Sequence, residues 1–132
     1  MKLLLDTCTF IWFNLSAPDL SERASSALMD PKNEVYLSAV SCWEMTIKYM
    51  AGRFPLPESP VTLVARTREE SGIQALPFGE KEALHLAKLP HFHNDPFDRM
   101  LVCQALVHGM TIRHVGRRDP KISRSNDLVS AQ

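Results

Sequence analysis

The amino-acid sequence predicts an α/β fold with a central parallel sheet. Two observations carry that expectation. Short apolar runs alternate with helical stretches of about 10–15 residues, the rhythm of strand–helix–strand units. The first run, Leu3-Leu4-Leu5, is apolar without alternation, as in a strand covered on both faces. In such sheets ligands bind beyond the carboxyl ends of the strands, which makes acids just after strands worth examining.

Asp6-Thr7 ends the first strand. Ser21 is placed to cap a helix starting at Glu22, with Ala24, Ala27 and Leu28 at helical spacing and Asp30-Pro31 as its stop. Val35-Tyr36-Leu37 is a second strand. Ser38 or Ser41 then caps a helix through Met50 that Gly52 ends, with Trp43, Ile47 and Met50 on one face. Phe54-Pro55-Leu56-Pro57 is a loop, because proline continues neither periodic structure. An amphipathic helix from Pro60 to about Glu70 stops at Gly72, and residues 73–76 form a third strand. A helix from Gly79 to Lys88 carries Ala83, Leu84 and Ala87. After a polar loop from Pro90 to Asn94, Asp95-Pro96 opens a long helix reaching His108-Gly109. Thr111 to Val115 is a fourth strand, Asp119-Pro120 opens a short final helix, and Leu128 to Gln132 lacks a strand-like pattern.

A length of 132 residues fits one domain, 1–132, able to bury roughly two thirds of the surface of its unfolded chain. A hydrophobic content of 45% with 23% charged residues is ordinary for a folded protein and disfavours disorder. Lys+Arg and Asp+Glu number 15 each, so basic groups that meet a nucleic acid must be local. Cys8, Cys42 and Cys103 cannot all pair and show no CxxC spacing, as expected of reduced, buried thiols in the cytoplasm. Asp6 interrupts the initial apolar run before a signal-peptide core forms, and the stretch from Met100 to Val107 is far shorter than the ~20 residues of a membrane span. The expectation is a soluble, unexported protein.

Each acid has a local explanation. Asp6, desolvated by the sheet, caps a helical turn around Thr9 to Asn14 or meets a positive partner. Glu44 has Lys48 four residues on, the spacing of a helical ion pair. Asp95 suits an N-cap, Pro96 the first helical position and Asp98 the positive end of the helix dipole. Asp119 before Pro120 repeats that device. Together, acids from separate units converging at one sheet edge would repel unless a cation neutralised them. The cation that suits all-oxygen ligands is Mg²⁺ or Mn²⁺ rather than zinc. His91-Phe92-His93 is a poor zinc site, since side chains one residue apart in extended chain point to opposite sides.

Four stretches, in order, resemble a known family: Leu3-Leu4-Leu5-Asp6-Thr7; Ser38-Ala39-Val40-Ser41-Cys42-Trp43-Glu44 with Ile47-Lys48 and Gly52-Arg53-Phe54; Asn94-Asp95-Pro96-Phe97-Asp98-Arg99 through Ala105; and Arg118-Asp119-Pro120-Lys121-Ile122. The chain resembles PIN-domain ribonucleases, specifically VapC-type toxins of type II toxin–antitoxin pairs. The resemblance implies a three-layer α/β/α sandwich with a central parallel sheet. It also implies a Mg²⁺- or Mn²⁺-dependent endoribonuclease that cleaves single-stranded RNA with metal-activated water. Its metal site maps onto Asp6, Glu44, Asp98 and Asp119, with Asp95 of the DPFD motif as an additional candidate. Homodimers silenced by a cognate antitoxin are the family's usual state. One departure stands out: the family's usual interval from the third acid lands on Gly116, and Asp119 lies three residues later, as after a three-residue insertion.

Basic residues concentrate late, with Arg113, Arg117, Arg118, Lys121 and Arg124 against Asp119 alone in residues 113–124, a patch suited to guiding an RNA backbone or a solvated face. Lys48 and Arg99 are further candidates for RNA contact. Trp12, Phe13 and Trp43 read as core or dimer interface ahead of a base-stacking platform. Three other classes compete. A phospho-acceptor receiver domain shares the layout but needs two adjacent acids where only Asp6 stands. A metal nuclease acting on DNA would use the same acids. A catalytically weakened binding module that keeps the antitoxin contact would account for the displaced Asp119.

Overall fold

The computed structural model describes residues 1–15, 22–54, 56–90 and 95–113, and the backbone of 128–129. Four strands, β1 (Lys2–Leu5), β2 (Glu34–Ser38), β3 (Gln74–Leu76) and β4 (Thr111–Arg113), run parallel in the spatial order β3-β2-β1-β4. A short strand β5 (Leu128–Val129) pairs antiparallel with β4 at the edge, where the sequence pattern led to no strand. Two residues of ladder pairing are too few to leave a periodic signature.

The apolar run of β1 is split between two cores. Leu3 and Leu5 join Val35, Leu37, Phe10, Leu28 and Leu63 on one face of the sheet. Leu4 joins Leu76, Leu101, Ala105 and Ile112 on the other. Successive strand side chains point to opposite faces, so an unbroken leucine run is what two-sided cover demands. Helices α1 (Thr7–Leu15), α2 (Glu22–Met29) and α4 (Pro60–Ser71) supply the first layer; α6 (Pro96–His108) dominates the second. Helix α3 (Ala39–Met50) serves both, sending Met45 to the first core and Val40 to the second. The result is the expected sandwich of helices on both sides of the sheet.

The helix ends follow their sequence signals. Ser38, not Ser41, caps α3 and accepts from the Val40 N–H. Ser59 caps α4, with Pro60 in the first turn and Gly72 closing it at φ 69°. Asp95 caps α6, accepting from the N–H groups of Phe97 and Asp98. Helix α5 (Glu80–Leu84) is shorter than expected: His85–Lys88 tightens into a 3₁₀ turn. Pro90 disfavours helical backbone at the residue before it, and a tighter turn satisfies the last carbonyls. Ala83, Leu84 and Ala87 are exposed there, while Glu82 is buried.

The apolar face of α3 is the clearest departure. Trp43, Ile47 and Met50 do share a face, but it points to solvent, with Trp43 66% and Met50 80% exposed. The buried face carries Val40, Ser41, Glu44 and Met45. No helix among the described residues is long and apolar enough to cross a membrane. Cys8, Cys42 and Cys103 form no disulfide; Cys103 is buried, whereas Cys8 and Cys42 are half-buried. Ser21, His91, His93, Asn94 and the Asp119-Pro120 helix start lie outside the described residues.

Candidate active site

In a parallel sheet every strand ends at the same edge, and among the described residues Asp6 lies there. Asp6 directly follows β1 and is 6% exposed. Its Oδ1 accepts the N–H of Thr9 at 2.8 Å, so the helix-capping role expected of it is real. The end of β4 lies alongside: the Arg113 carbonyl accepts from the Asp6 N–H at 3.4 Å and from the Thr9 hydroxyl at 3.1 Å. Burial, and more weakly the like charge of Arg23, draw the Arg113 guanidinium below the usual arginine range.

Glu44 reaches the same edge from α3 and is 7% exposed. Thr7, the residue after Asp6, donates its hydroxyl to Glu44 Oε1 at 2.6 Å. Lys48 Nζ meets Glu44 Oε2, also at 2.6 Å, so the i,i+4 pair expected from spacing forms. The Lys48 ammonium additionally lies 5.3 Å from the Phe54 ring centroid. One turn before Glu44, Ser41 is buried, and its Oγ has no hydrogen-bond partner among the described residues. Sequence reasoning passed over Ser41 as a site residue; its i−3 relation to Glu44 on a helix was the available signal.

Asp98 occupies the first turn of α6 and is half-buried. Helix α6 ends just before β4, so it runs back across the sheet and its N-terminus lies toward the edge of Asp6. Asp95 is exposed and committed to capping. Arg99 is among the residues lining a cavity between α5 and α6. Asp119, Arg117 and Arg118 lie outside the described residues.

The structure therefore joins Asp6 to Glu44 through Thr7 and sets Asp98 on the helix that runs to the same edge. Among the described residues, no group of three or more His, Cys, Asp or Glu side chains is gathered so as to hold a metal. The donors present are all carboxylate oxygens, chemistry that suits a hard dication and not zinc or copper.

A family model described as PIN domain matches residues 3–126. The chain is 29% identical over 69 residues to Ribonuclease VapC16 of Mycobacterium tuberculosis, a match covering 52% of this chain and 49% of that protein, so about half the relative's length is spanned. Among solved structures, FitAB bound to an IR36 DNA fragment is similar at TM-score 0.55 and 26% identity, over 90% of this chain and 86% of that one. VapBC2 from Rickettsia felis, bound to a DNA fragment from its promoter, has TM-score 0.62 at 14% identity, over 85% and 86%. DNA-bound VapBC from Salmonella typhimurium has TM-score 0.51 at 19% identity, over 83% of each chain. The last two likenesses bear on the fold alone.

Proposed function

The chain belongs to the PIN domain family, and from that footing we propose that it is a VapC-type toxin, a single domain over 1–132 that cleaves single-stranded RNA with Mg²⁺ or Mn²⁺ and is silenced by a cognate antitoxin. The observation that carries the reading is the coupling of two buried carboxylates at the carboxyl edge of the sheet: Asp6 after β1, and Glu44 held by Thr7. Two acids buried together serve stability poorly, which favours a functional reason for both.

Asp6, Glu44, Asp98 and Asp119 are the residues that would hold the ion, with Asp95 kept as the cap of α6 and a weaker ligand candidate. A hard dication there supplies neutralisation of the acids, activation of a water and stabilisation of charge on the leaving oxygen. The protein's part is positional. Thr7 and Lys48 each take one oxygen of Glu44 and fix the carboxylate plane. The Thr9 N–H and the end of β4 fix Asp6. Lys48, Arg117 and Arg118 are the cations proposed to meet the RNA backbone, a sequence-independent attraction that weakens with salt, and Arg99 is proposed to meet the strand from the cavity between α5 and α6.

The likeness to FitAB bound to a DNA fragment, at 26% identity, supports an antitoxin partner, and the exposed Trp43, Ile47 and Met50 face offers a surface for such a partner or for a second copy in a homodimer. Cysteines that form no disulfide suit a cytoplasmic setting. The rival reading, a weakened module that binds its antitoxin without cleaving, draws on the displaced Asp119 and on Lys48 already neutralising Glu44.

The test is cleavage of labelled single-stranded RNA and DNA with Mg²⁺, Mn²⁺ or a chelator, beside Asp6→Asn and Asp98→Asn. Metal-dependent RNA cleavage lost in both variants is expected. Cleavage surviving either substitution would falsify the site, cleavage of DNA alone would reassign the substrate, and antitoxin binding without any cleavage would favour the weakened module.

A further inference from the structure

We propose that the cavity between α5 and α6 is a nucleobase pocket that takes one purine of the RNA strand, guanine ahead of the others; the proposal deepens the ribonuclease reading and rests on it. The cavity measures about 330 Å³, within the range of small-ligand sites. Phe78, Ala83, Leu86 and Met100 give it apolar walls, with Arg99 and Glu82 as its charged members. Its position ties it to the acid edge. Phe78 stands just beyond the end of β3, and Arg99 and Met100 directly follow Asp98 in the first turns of α6.

The chemistry inside selects the occupant. Glu82 is already engaged by His108 Nε2 at 2.7 Å, and that hydrogen bond holds its carboxyl below the ordinary range. A standing negative charge there disfavours a phosphate. Arg99 is the opposite case: its Nε is buried with no hydrogen-bond partner among the described residues. Leaving a buried donor unanswered is costly, and an incoming acceptor would relieve it as the guanidinium turns to meet it. A base offers flat apolar faces to Phe78 and Met100 and acceptors along its edge. Guanine presents O6 and N7, the pair that matches an arginine fork. An aliphatic side chain of a peptide lacks the acceptors, and a carboxylate lacks a flat apolar body with two acceptors at arginine-fork spacing.

The experiment reads binding without metal, so it is independent of cleavage. ¹³C-methyl spectra of Met100 and Ala83 are followed while guanosine monophosphate, uridine monophosphate or ribose 5-phosphate is added. Saturable shifts are expected with guanosine monophosphate at roughly tenfold higher affinity than with the uridine nucleotide, and none with ribose 5-phosphate. Ala83→Phe, at an exposed wall position, should fill the cavity and abolish the Met100 shifts, and Asp6→Asn should keep them. Arg99→Gln should retain binding but lose the guanine preference. Equal response to both nucleotides, or guanosine binding undiminished in Ala83→Phe, overturns the pocket. So does a response of these methyl groups to an apolar acidic peptide but to no nucleotide, which assigns the cavity to a protein partner. If nucleotide binding behaves as expected while the protein cleaves no RNA, the pocket stands and the nuclease reading falls.

Discussion

Thr7 and Glu44, 37 positions apart in sequence, are joined by a 2.6 Å hydrogen bond from the threonine hydroxyl to Oε1 of the glutamate. Since Thr7 follows Asp6, this one bond ties the start of α1, just beyond β1, to Glu44 of α3. Glu44 Oε2 is taken by Lys48, so both oxygens of the carboxylate have a donor.

Removing the hydroxyl tests that connection. Thr7→Val is expected to lower stability by about 1.5–3 kcal/mol, the usual size of a hydrogen bond to a charged group, and to lower RNA cleavage as well. Thr7→Ser should restore most of both. Urea denaturation and a cleavage assay on the same preparations provide the check; full activity in Thr7→Val would remove Thr7 from the site.

Lys48 pairs with Glu44 at 2.6 Å. Side-chain exposures of 24% for Lys48 and 10% for Glu44 place the pair between surface and buried cases. Lys48→Met should therefore cost about 1–3 kcal/mol in chelator. Saturating Mn²⁺ should recover more stability in the variant than it adds to the wild type, because a ligand of the native state stabilises it by mass action. Thermal melts with and without Mn²⁺ decide this; identical Mn²⁺ shifts would argue against Glu44 as a ligand.

The two acids of the DPFD motif should separate. Asp95→Ala removes the cap of α6 and is expected to cost about 1 kcal/mol with cleavage kept within a few-fold. Asp98→Asn leaves the cap intact and is expected to abolish cleavage. Paired denaturation and activity measurements distinguish them, and loss of cleavage in Asp95→Ala at unchanged stability would promote Asp95 to a ligand.

The Glu82–His108 contact holds α5 against α6 and carries a pH dependence. Hydrogen bonding by His108 lowers the Glu82 pKa from its ordinary 4.5. A carboxylate with a depressed native pKa contributes stability that is complete above its unfolded value and lost as pH falls through the native one. The wild type should therefore lose more stability than Glu82→Gln as pH drops from about 5 to about 3. Parallel curves for the two proteins in urea would show that the contact adds nothing.

Much of the fold is legible in short stretches of sequence. The α6 limits follow from Asp95-Pro96 at one end and Gly109, at φ 67°, at the other. Pro60 and Gly72 bound α4 in the same way, and Leu3-Leu4-Leu5 announces a strand covered twice. These signals act within one turn or one strand, where the neighbours that matter are adjacent in sequence. The orientation of α3 is different. Its Trp43–Ile47–Met50 stripe is the more apolar face, yet Glu44 and Ser41 are the residues turned inward. Periodicity reports that a face exists; what lies opposite it depends on elements far along the chain.

The local chemistry of caps, prolines and glycines, with the unalternating leucines of β1, was enough to dictate an α/β protein with acids placed after its strands, and the Glu44–Lys48 pair came with helical spacing. That Thr7, next to Asp6, bonds Glu44, that Trp43 faces water and that Arg99 lines a cavity were decided only when the fold brought distant segments together. Such contacts form between residues whose separation in sequence carries no information about their separation in space.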